Sequence, residues 1–92
     1  MDPRDDRLDT LLRALADPTR RRLLSLITLR PGLTTAELAS LTRGMTRWGV
    51  MKHLEGLRSA GLIQTLPEGR HRRHYTERAA LDPLRNWLAT QD

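Results

Sequence analysis

The chain has 92 residues, of which 38% are hydrophobic and 29% charged, with no cysteine and a net charge of +5. That length supports one small domain, which buries only somewhat more than about 60% of the surface its unfolded chain exposes, and the composition is that of a soluble globular domain rather than a disordered tail. Without cysteine there are no disulfides and no thiolate metal ligands, which suits a reducing cytoplasm; the apolar runs are too short to cross a membrane, and Met1-Asp2-Pro3-Arg4-Asp5-Asp6 is charged where a secretory signal is apolar.

In chain order, Leu8, Leu11, Leu12 and Leu15 form an apolar stripe at helical spacing and predict a first helix over about 7–16. Asp17-Pro18 predicts a second start, because aspartate caps free amides and proline has none to leave unpaired at the first helical position. That helix carries Leu23, Leu24 and Ile27 inward and stops before Pro31-Gly32. Thr34-Thr35-Ala36-Glu37 is a capping box, with Leu33 and Leu38 at the staple positions. It opens a short third helix that turns Leu38 and Leu41 inward and ends at Gly44. Thr46 caps a fourth helix, over about 46–60, whose inner face is Val50, Leu54 and Leu57 and whose staple pair is Met45 and Val50. Gly61 closes it, with Leu62 placed for the hydrophobic contact that follows such a cap. A short helix, a glycine-containing turn and a longer helix make a helix-turn-helix pattern.

The next stretch changes period. Leu62-Ile63-Gln64-Thr65-Leu66 and His71-Arg72-Arg73-His74-Tyr75-Thr76 flank Pro67-Glu68-Gly69-Arg70, which predicts a β-hairpin over about 62–76 with those four residues as its turn. Asp82-Pro83 repeats the cap signature before a last amphipathic helix with Leu84, Trp87 and Leu88, over about 79–90. The predicted order is α-α-α-α-β-β-α, mainly helical with one hairpin, in a single domain spanning 1–92.

Charge is not spread evenly. Residues 43–78 hold eight basic and three acidic residues, while the rest of the chain is balanced, so the whole excess is confined to the one stretch that contains the fourth helix and the hairpin. That is the footprint of a polyanion binder.

These residues resemble the ArsR-type winged helix-turn-helix family. Leu15-Ala16-Asp17-Pro18-Thr19-Arg20-Arg21-Arg22-Leu23-Leu24 is similar to its N-terminal signature. The run from Val50 to Ile63 is similar to its recognition helix and first wing strand, and Glu68-Gly69-Arg70 with Tyr75 to its wing. The resemblance runs from about Leu8 to Leu88. It implies a cytoplasmic, dimeric regulator of transcription, often a repressor released by an effector, with its two terminal helices at the dimer interface. It also implies where metal-sensing members hold their metal, and those ligands are missing here. The third helix reads Glu37-Leu38-Ala39-Ser40-Leu41 with no cysteine, and Leu81 to Asp92 holds no histidine.

A recognition helix presents its N-terminal half to base edges in the major groove, which makes Thr46, Arg47, Trp48, Lys52 and His53 the candidate DNA contacts. Arg47 suits bidentate readout of guanine, Lys52 a guanine or a phosphate, and Thr46 and His53 phosphates or bases. Trp48 points away from the inner face and either stacks on a sugar or thymine methyl or packs against the third helix. Met51 stands where many relatives carry a small polar residue, and both it and Trp48 bear on which operator is read. In the hairpin Arg70 and Arg72 are the candidate phosphate or minor-groove contacts; Arg72 and Arg73, as neighbours on a strand, face opposite ways. Tyr75 packs at the hairpin base, and Arg20-Arg21-Arg22 forms a solvated face from which one side chain touches phosphate.

Leu8, Leu11, Leu12 and Leu15 with Leu84, Trp87 and Leu88 are the candidate dimer interface, and two-fold symmetry predicts a pseudo-palindromic operator. His53, His71 and His74 are too dispersed for a metal site. There is no nucleophile–base set, paired carboxylate cleft or glycine-rich phosphate loop, so neither catalysis nor a cofactor is expected. The partners expected are double-stranded DNA, a second copy of the chain and an unidentified small-molecule or protein effector. The competing class is a protein-interaction module of the antirepressor kind that uses the same fold without specific DNA binding.

Overall fold

The computed structural model describes the backbone of residues 3–91 and the side chains of residues 6–91. Met1, Asp2 and Asp92, part of the expected 1–92 domain, and Met1 and Asp2 of the charged leader lie outside that range. The elements are α1 (Pro3–Leu15), α2 (Pro18–Leu29), β1 (Leu33–Thr34), α3 (Thr35–Leu41), α4 (Arg47–Ser59), β2 (Ile63–Glu68), β3 (His71–Thr76), a 3-10 turn (Arg78–Leu81) and α5 (Asp82–Ala89).

Side-chain caps fix three of the helix starts. Asp17 accepts hydrogen bonds from the Thr19 and Arg20 amides at 2.8 and 3.1 Å. Thr34 and Glu37 close the capping box reciprocally, at 3.1 and 2.9 Å. The Thr46 hydroxyl accepts from the Gly49 amide at 3.0 Å. α4 ends in a full Schellman motif. Gly61 sits at φ +77, its amide donates to the Arg58 carbonyl, and the Leu62 amide donates to the Leu57 carbonyl. A side chain at that φ would be strained, which is why glycine follows the helix there.

Four sequence expectations need correction. α3 stops at Leu41 rather than at Gly44; Thr42 ends it by donating its hydroxyl to the Leu38 carbonyl at 2.8 Å. The hairpin turn is tighter than expected. Glu68 pairs with His71, so Pro67 and Glu68 belong to β2, and only Gly69 and Arg70 turn. Gly69 has φ +60 and no other residue type has positive φ among the described residues, which is the type II′ pattern that suits strand twist. Proline is tolerated in β2 because that strand lies at the sheet edge, where its missing amide breaks no second ladder. Asp82 is not a cap. The 3-10 turn runs directly into α5, the Asp82 amide bonds back to the Ala79 carbonyl, and its carboxylate pairs with Arg85 at 3.2 Å.

The fourth correction is a third strand. Leu33 and Thr34 pair antiparallel with His74 and Arg73, so the sheet order is β1-β3-β2 and the hairpin is anchored to the helical body through its central strand. The core is aliphatic: Leu23, Ile27, Leu38, Val50, Leu57 and Leu62 are fully buried, with Leu11, Leu33, Leu54 and Ile63 nearly so. α4 packs on both α2 and α3, while α1 packs on α5 at the far end.

Removing the Asp17 carboxylate leaves two amides of α2 without an acceptor. Asp17→Ala is therefore expected to cost about 1 kcal/mol of stability, readable as a lowered urea midpoint at unchanged m-value; no loss would mean that water caps the helix equally well.

Candidate nucleic-acid interface

The outward side of α4 follows from its inward side. Val50, Leu54 and Leu57 are committed to the core, so Trp48 and Lys52 fall on the opposite face, with Arg47 and Met51 on the flank nearest the hairpin. Arg47 and Met51 line a cleft of about 140 Å³ together with Thr34, Thr35 and Ala36 at the start of α3 and Arg70, His71 and Arg72 at the tip of the hairpin. The fold thus gathers Arg47, Arg70 and Arg72, far apart in sequence, around one depression between α4 and the sheet. Among the described residues, none of these three, nor Lys52, pairs with a carboxylate.

Other cations of the basic stretch are used internally. Arg73 donates to Glu68 at 2.8 Å and to the Gly32 carbonyl at 3.0 Å. Arg58 pairs with Glu55 along α4. Strand alternation turns Arg72 toward the cleft and Arg73 away from it, as the sequence predicts.

Trp48 is 68% exposed, which rules out the alternative in which it packs against the third helix. The Lys52 ammonium lies 5.0 Å from its ring centroid, one helical turn on. A cation over an exposed indole contributes about 0.5–1 kcal/mol, so this contact orients the ring more than it stabilises the fold. Thr46 has its hydroxyl oxygen occupied by the Gly49 amide, which leaves its hydrogen free to donate. His53 sits elsewhere. It lies on the α2 side of α4, half-buried, with Nδ1 3.9 Å from the Asp17 carboxylate, so it is turned from the reading face on which sequence placed it.

The apolar residues at the other end divide similarly. Leu11 is only 2% exposed and belongs to the monomer core, which corrects its assignment to a subunit interface: one helical stripe cannot turn all its leucines both inward and outward. Leu8, Leu15 and Leu84 are half-buried, and Leu12, Trp87 and Leu88 are 45–52% exposed.

Two features escaped the sequence reading. Arg21 and Arg22 are exposed as expected and Arg20 is half-buried, but Arg20 and Arg21 also donate to the Arg13, Ala14 and Leu15 carbonyls that end α1, where cations also favour the helix dipole. No periodicity signals such a contact. The second is His74, buried in the central strand with Nε2 2.9 Å from the Thr35 hydroxyl and Nδ1 2.9 Å from the Thr65 hydroxyl. It joins the first turn of α3 to β2, and both its nitrogens are occupied. His71, three residues away, is exposed on the hairpin.

A helix-turn-helix whose second helix stands beside a basic, sheet-anchored hairpin defines a winged helix-turn-helix domain. Comparison with known proteins agrees. A family profile described as a helix-turn-helix domain matches residues 15–65. The HTH-type transcriptional regulator CmtR of Mycobacterium tuberculosis is 41% identical over 71 residues, which cover 77% of this chain but 58% of that protein; the chain thus spans under two thirds of that relative's length. A crystal structure of an ArsR family transcriptional regulator superposes with a TM-score of 0.85 at 35% identity, covering 99% of this chain and 92% of that one. A homodimeric winged helix-turn-helix DNA-binding domain from Mycobacterium bovis, solved by NMR, gives 0.73 at 26% identity over 94% and 76% of the two chains. The chain belongs to the ArsR-type winged helix-turn-helix regulators.

Burial pushes the His74 imidazole below its ordinary value of 6.5, helped by the Arg72 and Arg58 charges. The folded state therefore resists a proton that the unfolded chain accepts, so stability is full above about 6.5 and falls as pH drops below it. The capping carboxylates Asp17 and Glu37, held below their ordinary values by amide hydrogen bonds, act only at lower pH. Melting temperature is expected to decline from pH 6.5 to 5, and His74→Gln to flatten that decline while lowering the plateau. A wild-type melting temperature constant over this range would refute the assignment.

Proposed function

We propose that the protein is a sequence-specific, duplex-DNA-binding transcription regulator, acting as a homodimeric repressor in the cytoplasm on a pseudo-palindromic operator. The observation that carries this reading is the convergence of Arg47, Arg70 and Arg72 on one cleft beside the exposed face of α4. A helix with its side chains is about as wide as the major groove, roughly 12 Å. With α4 in the groove, Arg47 and Lys52 address base edges, Thr46 donates to a phosphate, and Arg70 and Arg72 reach the flanking backbone. Phosphate contacts supply affinity and salt dependence; base contacts supply choice.

Dimerisation is supported by the apolar side chains left exposed at the α1/α5 end. Leu12, Trp87 and Leu88 form the exposed apolar part of the α1/α5 end, with Leu8, Leu15 and Leu84 at its margin. The two-fold symmetry of such a dimer calls for two half-sites about one helical turn of DNA, roughly 34–36 Å, apart.

No catalytic residue or resident cofactor enters the proposal, and no helix among the described residues is long and apolar enough to cross a membrane. An effector, if the regulator answers to one, is a small molecule or a protein. The exposed Trp48 and Met51 favour one second reading, a protein-binding winged helix of the antirepressor kind.

Selection of genomic fragments by the purified protein separates the two. The regulator reading expects one inverted-repeat site, enriched by the wild type and lost in Arg47→Ala/Lys52→Ala. Arg70→Ala/Arg72→Ala should instead weaken binding to all sequences and reduce the salt slope by about 0.9 for each phosphate no longer neutralised. Enrichment of no site by a folded dimer would favour the protein-binding reading. For the interface, Trp87→Glu is expected to convert the dimer to a folded monomer in sedimentation at micromolar concentration and to weaken operator binding; a variant that stays dimeric would place the interface elsewhere.

A further inference from the structure

Two large exposed apolar side chains, Trp48 at 68% and Met51 at 51%, lie on α4, three residues apart. Neither belongs to the core, and neither adjoins the α1/α5 end. Scattered exposed apolar residues are ordinary. These two are neighbours on the first two turns of the helix that faces outward, bracketed by Arg47 and Lys52. The Lys52 ammonium also stands over the Trp48 ring at 5.0 Å, and the indole is otherwise open to a partner. Met51 lies toward the wing, where it lines both the cleft that holds Arg47 and the larger one, about 340 Å³, above His74.

Resting on the DNA-binding reading above, we propose that Trp48 and Met51 determine specificity by packing against the 5-methyl groups of thymines in the major groove. The thymine methyl is the one apolar feature that a base edge presents there, and apolar side chains recognise it by contact. The surrounding charge selects a polyanion and argues against an uncharged protein partner. Arg47 and Lys52 place the phosphates and guanines, and the apolar pair discriminates thymine from cytosine at the positions between them. Orientation by Lys52 lowers the entropic cost of fixing the indole on binding.

The test starts from the selected operator and replaces each thymine in turn by deoxyuridine, which keeps pairing and the O4 acceptor and removes only the methyl. Each contacted thymine is expected to cost about four-fold in affinity, the equivalent of one buried methyl group, and symmetric replacement in both half-sites about sixteen-fold. The same duplexes are titrated with Trp48→Ala, Met51→Ala and Trp48→Phe, whose exposed positions leave the core untouched and whose fold is checked by circular dichroism. Each alanine variant should lose the uracil penalty at its own position, and Trp48→Phe should retain it. Specific binding that ignores uracil at every position, or a penalty that survives unchanged in both alanine variants, overturns this inference alone. Failure to select any duplex overturns the DNA-binding reading with it.

Discussion

α4 has to be a core helix and a reading helix at once, and much of the molecule is arranged around that double duty. Its inner stripe, Val50, Leu54 and Leu57, is at most 5% exposed. Burial of such side chains is worth about 1.5–3 kcal/mol each, so rotating α4 to change its outward face would sacrifice the centre of a small core. Both ends are fastened as well, by the Thr46 cap and the Gly61 Schellman motif. Because Leu62 is buried and β2 begins at Ile63, the chain leaves α4 directly into the wing. Helix and wing are thus positioned by the same few residues, which is what lets Arg47 and Arg72 line one cleft.

The wing is held from its other side by polar contacts. His74 spends both nitrogens on threonine hydroxyls from α3 and β2, each bond contributing a net 0.5–1.5 kcal/mol or so. A buried imidazole without them would carry its full desolvation cost. With a hydroxyl on each side either tautomer is satisfied, since a hydroxyl both donates and accepts. Arg73, on the opposite face of the strand, adds a tie to the Gly32 carbonyl. The basic stretch therefore divides by strand alternation and helix face into cations that build the wing and cations left for an anionic partner. Net charge alone does not reveal that division.

What the sequence disclosed follows from the range of its signals. Caps and breakers act within four residues, so Asp17, Thr34, Thr46 and Gly61 were legible and mark the boundaries of α2, α3 and α4. The apolar stripes gave the inner faces, and with them the outward placement of Trp48. β1 was not legible because two residues carry no period, and its strand character exists only through β3, some forty residues later. The same holds for His74 and for Arg20, whose partners are set by tertiary packing. His53 was misplaced because a helix flank can be assigned to solvent or to a neighbour only once the neighbour's position is known. Leu11 was misplaced by treating its whole stripe as one surface, when α5 covers part of it.

The two ends of the molecule are mechanically joined. The Arg20 guanidinium, on α2, holds the carbonyls that finish α1, and its side chain crosses α4 at Gly56, where a Cβ would come within 3.3 Å of the arginine Cδ. α1, α2 and α4 are thereby tied by one residue lying across a helix position with no side chain to spare. α1 contributes to the exposed apolar end and α4 carries the reading face, so Arg20 lies between the two surfaces and packs against the elements that carry both. In a dimer built on α1 and α5, the distance between reading helices would be set by this packing.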